Sequence, residues 1–398
     1  MSSSRAPRIL LSLASKQIWP QVLAVAALKP ERVFLLHSED PTESRGPAQR
    51  LKRFFDDCGL VPKGATRMSP VSDSQFAAIE DTLDELQRRD GLPLSDCVVN
   101  FTGGNKLMAT AAFRWAAKRG ARAFYLERRN QLTWFTPQDG EMLTRTEPLN
   151  AELCDDLDPV ALLRCQLDVS EVERPGQTLV LSKEGRAQSE PEMARGIANG
   201  EDARKWLAFT GEADREAKKG DPLEFATAAV LLKLGVHRVQ RSLRLKAKSA
   251  PEAGTRRPHA EIDLLFSWAG RLWLVDCKDR KPAEDLADAL KPHLHRPASV
   301  AGSELLARIR DELAVGQNKV IKQDLLAIRE VGGLLGNIIC VWKADPEAEV
   351  LQYARNNSIA IVSKKNLLEG LRAQLRPNQR ASMDQLRALA TVRTSATA

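Results

Sequence analysis

Glu261-Ile262-Asp263-Leu264-Leu265-Phe266-Ser267-Trp268-Ala269-Gly270-Arg271-Leu272-Trp273-Leu274-Val275-Asp276-Cys277-Lys278 is the stretch from which the second half of the chain can be read. Both apolar runs are rich in residues that suit a buried pleat, and the Ala269-Gly270 break between them predicts a β-hairpin. With those two residues as the turn, Trp268 faces Arg271, and counting outward sets Asp263 opposite Asp276. Side chains alternate along a strand, so Lys278 shares the face of Asp276. Two carboxylates brought together in this way can hold Mg²⁺ or Mn²⁺, and the lysine beside them can orient or deprotonate a water that attacks phosphorus. A plainer reading makes Asp276 and Lys278 solvated strand-end charges, with Lys278 guarding a sheet edge. The pairing arithmetic favours the metal site, because charges at the end of a hairpin apolar on both faces need partners.

Asp263 on one strand and Asp276-x-Lys278 at the end of the next resemble the PD-(D/E)xK nuclease family, which includes restriction endonucleases. Asp276 stands where that family more often has Glu. The resemblance implies metal-dependent phosphodiester cleavage, with Asp263 and Asp276 as metal ligands and Lys278 beside the attacking water. It also implies a Glu on the helix before the core sheet, and Glu224 in Asp221-Pro222-Leu223-Glu224 is placed to be that residue. Asp221 and Glu224 equally make a capping-box-like pair that needs no metal, and both readings stand.

The helix runs on to Leu234 and stops at Gly235. Val236 to Lys248 reads as a strand carrying Arg238, Arg241, Arg244, Lys246 and Lys248, followed by Arg256, Arg257 and His259. Beside a nuclease site the expected partner is a phosphate backbone, with Arg244, Lys246, Lys248, Arg256 and Arg257 as the candidate contacts. A solvated, charged edge strand is the alternative. His259, His293 and His295 lack zinc-ligand spacing. Helical patterns over Gly302–Leu313 and Lys319–Arg329, a strand at Asn337–Trp342, and a further strand and helix at Ile359–Val362 and Asn366–Leu375 complete a restriction-endonuclease-like order.

The first 150 residues alternate differently. Apolar strands at Arg8–Leu13, Val33–Ser38, Cys97–Phe101 and Ala123–Leu126 are separated by helical patterns at about Pro20–Leu28, Pro47–Cys58, Asp73–Arg88 and Lys106–Lys118. This is the signature of a mostly parallel, Rossmann-like α/β sheet, whose ligands bind beyond the carboxyl ends of the strands. Of those loops, Thr102-Gly103-Gly104-Asn105-Lys106 passes through two glycines into a helix, offering backbone N–H groups, a hydroxyl and an ammonium to an anion. A simple strand-to-helix turn is the alternative. Neither the dinucleotide fingerprint nor a P-loop is present.

Thr102-Gly103-Gly104-Asn105-Lys106-Leu107-Met108, with the Ser12–Gln17 loop and His37-Ser38, resembles the CARF family of CRISPR-associated sensors of cyclic oligoadenylates. The resemblance implies a homodimer that binds the twofold-symmetric cyclic tetraadenylate across its axis. Ser12, Ser15, Lys16, Gln17, Ser38, Thr102, Gly103, Gly104, Asn105 and Lys106 are the contacts it implies. A CARF sensor followed by a PD-(D/E)xK nuclease resembles the single-CARF ancillary nucleases of type III CRISPR systems. It implies an allosterically activated nuclease acting on DNA, RNA or both.

The chain of 398 residues is too long for one ordinary core. The expected organisation is a sensor over 1–150, a connecting segment over 151–205, a nuclease over 206–375 and a polar tail over 376–398. A composition 43% hydrophobic and 28% charged is that of a globular protein, and no stretch suits a bilayer or a signal peptide. A cytoplasmic location with no membrane partner is therefore expected. Cys58, Cys97, Cys154, Cys165, Cys277 and Cys340 form no C-x-x-C pair, which argues against a disulfide framework or zinc knuckle. A net charge of +7 is compatible with a polyanionic partner. Two other functions stay open from the sequence: a ligand-controlled DNA-binding regulator without catalysis, and an endonuclease with no nucleotide effector.

Overall fold

The computed structural model describes residues 7–127, 131–167, 172–174, 177–210, 222–245, 261–278, 300–332, 336–343 and 346–376. Contacts divide the chain into two units. The first comprises Met1–Val169 with the short segment Ser267–Arg271, and the second takes most of the remainder from Ser170 onward.

The first unit follows the order β1 (Ile9–Leu13), α1 (Trp19–Leu28), β2 (Arg32–His37), α2 (Gly46–Asp57), β3 (Thr66–Pro70), α3 (Phe76–Arg89), β4 (Cys97–Asn100), α4 (Lys106–Arg119), β5 (Arg122–Glu127), β6 (Gln131–Gln138), β7 (Glu141–Pro148) and α5 (Pro159–Gln166). Among the described residues its sheet has seven strands in the order β3-β2-β1-β4-β5-β6-β7. The first five run parallel, and β6 and β7 add an antiparallel hairpin at one edge. Every residue of β1 is buried, as expected of a parallel strand covered on both faces. Leu11, Leu13, Phe34, Val99, Met108 and Trp115 share one core cluster, which binds sheet to helices. Neither β3 nor the β6–β7 hairpin is expected from the apolar pattern. β3 is a half-exposed edge strand, and β7 is mostly exposed.

The second unit contains β8 (Val172–Arg174), β9 (Gln177–Leu181), α6 (Lys183–Ala187), α7 (Glu190–Ala198), β10 (Leu207–Thr210), α8 (Pro222–Lys233), β11 (Val239–Leu245), β12 (Glu261–Trp268), β13 (Arg271–Lys278), α9 (Val300–Gly332), β14 (Asn337–Trp342), α10 (Ala348–Asn356), β15 (Ile359–Ser363) and α11 (Leu367–Leu375). Its described strands run β10-β9-β11-β12-β13-β14-β15, with β8 also beside β11. Residues 151–205, expected to connect two domains, are shared between the units. The antiparallel β9–β10 pair, with β9 also on β11, builds one side of the second sheet. Leu179, Met193, Ile197 and Trp206 are buried there. The two helical patterns expected over 302–329 are one continuous helix, α9, since no proline interrupts it and Gly316 is tolerated inside.

β12 ends at Trp268 and β13 starts at Arg271, leaving Ala269 and Gly270 as the turn. Both have positive φ, 51° and 67°, the pairing that a two-residue hairpin turn of the primed kind requires. The architecture is α/β in both units. No described helix is long and apolar enough to cross a membrane.

Candidate functional site

In the second unit, the residues expected at the hairpin base do come together. Cys277 N–H donates to Asp263 Oδ2 at 2.6 Å. Lys278 Nζ lies 3.0 Å from Asp276 Oδ1, and these two residues are 8% and 4% exposed. β14 runs parallel beside β13 with Asp276 opposite Cys340, whose thiol donates to Asp276 Oδ2 at 3.5 Å. The sheet itself therefore holds the carboxylates.

Electrostatics follow from this placement. Burial, the charge of Asp276 and that of Glu224 push the Asp263 carboxyl up to about 8, against the Cys277 amide and Lys278. Asp276 is raised by burial and by Asp324, in opposition to Lys278. Burial works against the Lys278 ammonium, but Asp276 and Asp324 outweigh it and raise its pKa above the usual lysine value. Held between two carboxylates, the Lys278 side chain is placed where it can act on a water or face a phosphate.

Glu224, on the first turn of α8, accepts from Arg241 Nε at 2.6 Å. Arg241 is 4% exposed and sits 4.4 Å from the centroid of the Phe225 ring. Among the basic residues of β11, Arg241 was expected to face a phosphate backbone, but its charge is held inside by Glu224. Arg244 is exposed, with Nε 3.7 Å from Glu261 Oε1. Lys246, Lys248, Arg256, Arg257, His259, His293, His295 and the capping partner Asp221 lie outside the described residues.

Among the described residues, no group of three or more His, Cys, Asp or Glu side chains is drawn together in a metal-ligating arrangement. The donor chemistry nevertheless fits a hard divalent cation. Asp263, Asp276 and Glu224 are close enough for their charges to oppose one another at Asp263, and a cation would relieve that repulsion. In this structure protein donors occupy the carboxylates: the Cys277 amide, Lys278 and Arg241.

In the first unit, three loops converge at the carboxyl ends of β1, β2 and β4. Thr102 to Lys106 line a cavity of about 470 Å³ together with Phe101, Phe113 and Tyr125. Asn105 caps α4, its Oδ1 accepting from Met108 N–H at 2.8 Å, and Asn105 and Lys106 are exposed. Gly103 packs on β1 so closely that an added Cβ would lie 2.2 Å from Leu13 O and 2.5 Å from Gln21 Nε2. Gly104, at φ +72°, completes the turn.

The remaining candidates divide. Ser12 is fully buried in β1, and its Oγ accepts from Asn100 Nδ2 at 3.1 Å, so it braces the loop from beneath. Ser38 is buried, its N–H donating to Ser44 Oγ at 3.1 Å, and Ser44 in turn donates to Ala14 O. Ser15 donates to Gln17 O at 3.2 Å, while Lys16, exposed, pairs with Glu43. Thr102 Oγ1 accepts from Leu126 N–H at 2.8 Å. The aromatic wall is absent from the sequence expectations: Phe101 lies 5.1 Å from Phe113 and 5.7 Å from Tyr125 between ring centroids, and Tyr125 is 42% exposed. Phe101, immediately before the Thr102 motif, was the available signal.

No family model matches this sequence, and no curated protein matches it. The fold does have solved counterparts. Can2 from Sulfobacillus thermosulfidooxidans, solved in complex with cyclic tetra-adenylate, is 16% identical with a TM-score of 0.54, covering 91% of this chain and 98% of its own. Protein VC1899 from Vibrio cholerae is 12% identical with a TM-score of 0.52, covering 93% and 98%. A type III CRISPR defence DNA nuclease activated by cyclic oligoadenylate is 19% identical with a TM-score of 0.50, covering 89% of this chain but 48% of its own. At these identities the likeness establishes a shared fold across most of the chain.

Proposed function

We propose that this protein is a nuclease of type III CRISPR defence, activated by a cyclic oligoadenylate, cyclic tetraadenylate foremost, and dependent on Mg²⁺ or Mn²⁺. The observation that carries the reading is the buried meeting of Asp263, Asp276 and Lys278 on adjacent strands. Asp263 and Asp276, with Glu224 behind them, would hold the cation. Once bound, the metal would supply positive charge at the scissile phosphate and acidify a coordinated water. Lys278, 3.0 Å from Asp276, would orient or deprotonate that water. The products expected are a 5′ or 3′ phosphate and a free hydroxyl from hydrolysis of DNA, RNA or both.

In the first unit, the Thr102–Lys106 turn offers phosphate contacts through Lys106 and the start of α4, and the Phe101, Phe113 and Tyr125 rings suit a purine. A twofold-symmetric ring matches an isologous homodimer. The shared fold with a protein solved with cyclic tetra-adenylate and with a nuclease activated by cyclic oligoadenylate supports the same reading.

The test is cleavage of supercoiled plasmid and of labelled single-stranded RNA, with and without Mn²⁺ and cyclic tetraadenylate, alongside Asp276→Ala. Cleavage that needs both additions and disappears in the variant is the expected result. Tight ligand binding with no cleavage under any condition would favour a DNA-binding regulator, and rapid cleavage without the cyclic nucleotide would favour an effector-independent endonuclease.

A further inference from the structure

Lys278 has a second acidic partner. Asp324 Oδ2, contributed by α9, lies 2.8 Å from Lys278 Nζ, on the other side of the ledger from Asp276 Oδ1 at 3.0 Å. The ammonium is thus bracketed by two carboxylates from different elements, 46 residues apart in the case of Asp324. Asp276 is almost fully buried, whereas the Asp324 side chain is 36% exposed.

We infer that Asp324 is a positioning residue, which holds Lys278 in the site when Asp276 turns to a divalent cation. The inference rests on the nuclease reading above. A buried ammonium stripped of its only counter-charge is strongly disfavoured. With Asp276 as sole partner, Lys278 would compete with the cation for the same carboxylate. Asp324 removes that conflict, because it keeps the ammonium paired while Asp276 is released. Its proposed role is exerted through Lys278.

The experiment uses the full chain with cyclic tetraadenylate present. Mn²⁺ binding to metal-free protein is measured by calorimetry, and kcat and KM for cleavage are measured at saturating Mn²⁺, for wild type, Asp324→Asn, Asp324→Glu and Asp276→Ala. Loss of a partner that orients a metal-site group typically costs about 10–100-fold. Asp324→Asn is accordingly expected to weaken Mn²⁺ binding and lower kcat by about tenfold or more each, with KM for nucleic acid unchanged. Asp324→Glu restores much of both, which a residue needed only for folding would not do selectively. An unchanged Mn²⁺ isotherm or an unchanged kcat in Asp324→Asn overturns the inference. If Asp276→Ala abolishes cleavage while Asp324→Asn behaves as wild type, the Asp324 assignment alone falls. If Asp276→Ala cleaves normally, the nuclease reading itself falls.

Discussion

Glu224 Oε2 accepts a hydrogen bond from Arg241 Nε at 2.6 Å, and both side chains are nearly out of solvent, 14% and 5% exposed. Removing one partner of a buried pair deprives the other of that counter-charge and costs about 3–5 kcal/mol, whereas an apolar pair of similar volume is often neutral. Arg241→Met is therefore expected to destabilise the second unit by about 3 kcal/mol or more, and Arg241→Met with Glu224→Met to recover most of it. Urea unfolding followed by tryptophan fluorescence measures both.

Asp263→Ala and Lys278→Ala are expected to lower cleavage by at least about a hundredfold, the usual scale for losing one group that acts on the transition state. Binding of cyclic tetraadenylate should be unaffected, since both residues lie in the second unit. Full cleavage in either variant removes that residue from the mechanism.

In the first unit, Glu80 on α3 accepts from Arg114 and Lys118 on α4 at 2.6 and 3.0 Å. Arg114 first, and then Lys118, hold its carboxyl at about 2, below the ordinary 4.5. The folded pKa is depressed, so this stabilisation is fully present above about pH 4.5 and fades as pH falls towards about 2. Thermal denaturation between pH 5 and 2.5 should show a shallower loss for Glu80→Gln than for wild type. Equal slopes would mean the α3–α4 pairing adds nothing to folding.

Gly103→Ala and Gly104→Ala test the proposed ligand loop by different means. A Cβ on Gly103 would strike the Leu13 carbonyl at 2.2 Å, backbone that cannot swing aside, so the loop must move. Overpacking of that kind costs about 1–3 kcal/mol. At Gly104 the nearest atoms are side-chain carbons at 3.3 Å, and the cost is mainly that of a left-handed backbone, about 1–2 kcal/mol. Cyclic tetraadenylate binding by calorimetry should fall further for Gly103→Ala; the opposite ranking would show that backbone conformation, not close packing, shapes the loop.

Lys106 is exposed at the first position of α4, beside the cavity. A charged hydrogen bond to phosphate is worth about 1.5–3 kcal/mol, so Lys106→Ala should weaken ligand binding by roughly tenfold or more. The deficit should shrink as salt is raised, because screening weakens the interaction in the wild type first. A dose response identical to wild type would take Lys106 out of the ligand site.

The hairpin and the Thr102–Lys106 turn were legible as structure because their determinants are local: a two-residue break between apolar runs, and two glycines between strand and helix. The β6–β7 hairpin carried an equally local mark, Asp139-Gly140, both with positive φ, but its strands are too polar to stand out as apolar runs. β9 and β10 were missed for another reason. Each is only four or five residues long, and what fixes them is the pairing of β9 with distant β11, that of β10 with β9, and the burial of Trp206. Arg241 looked like one more basic residue of a charged strand, since only the tertiary approach of α8 shows it buried against Glu224. Asp324 had no local signal at all, being one charge among many along α9.

The 2.6 Å bond from Cys277 N–H to Asp263 Oδ2 has a practical use. A backbone amide that donates to a carboxylate responds in its proton and nitrogen chemical shifts to the charge of that group. With ¹⁵N-cysteine labelling, six residues contribute signals, and Cys277 alone among them donates its N–H to Asp263. Its cross-peak is thus a native spectroscopic probe of the site, able to follow protonation or cation arrival in solution without an attached dye or a turnover assay.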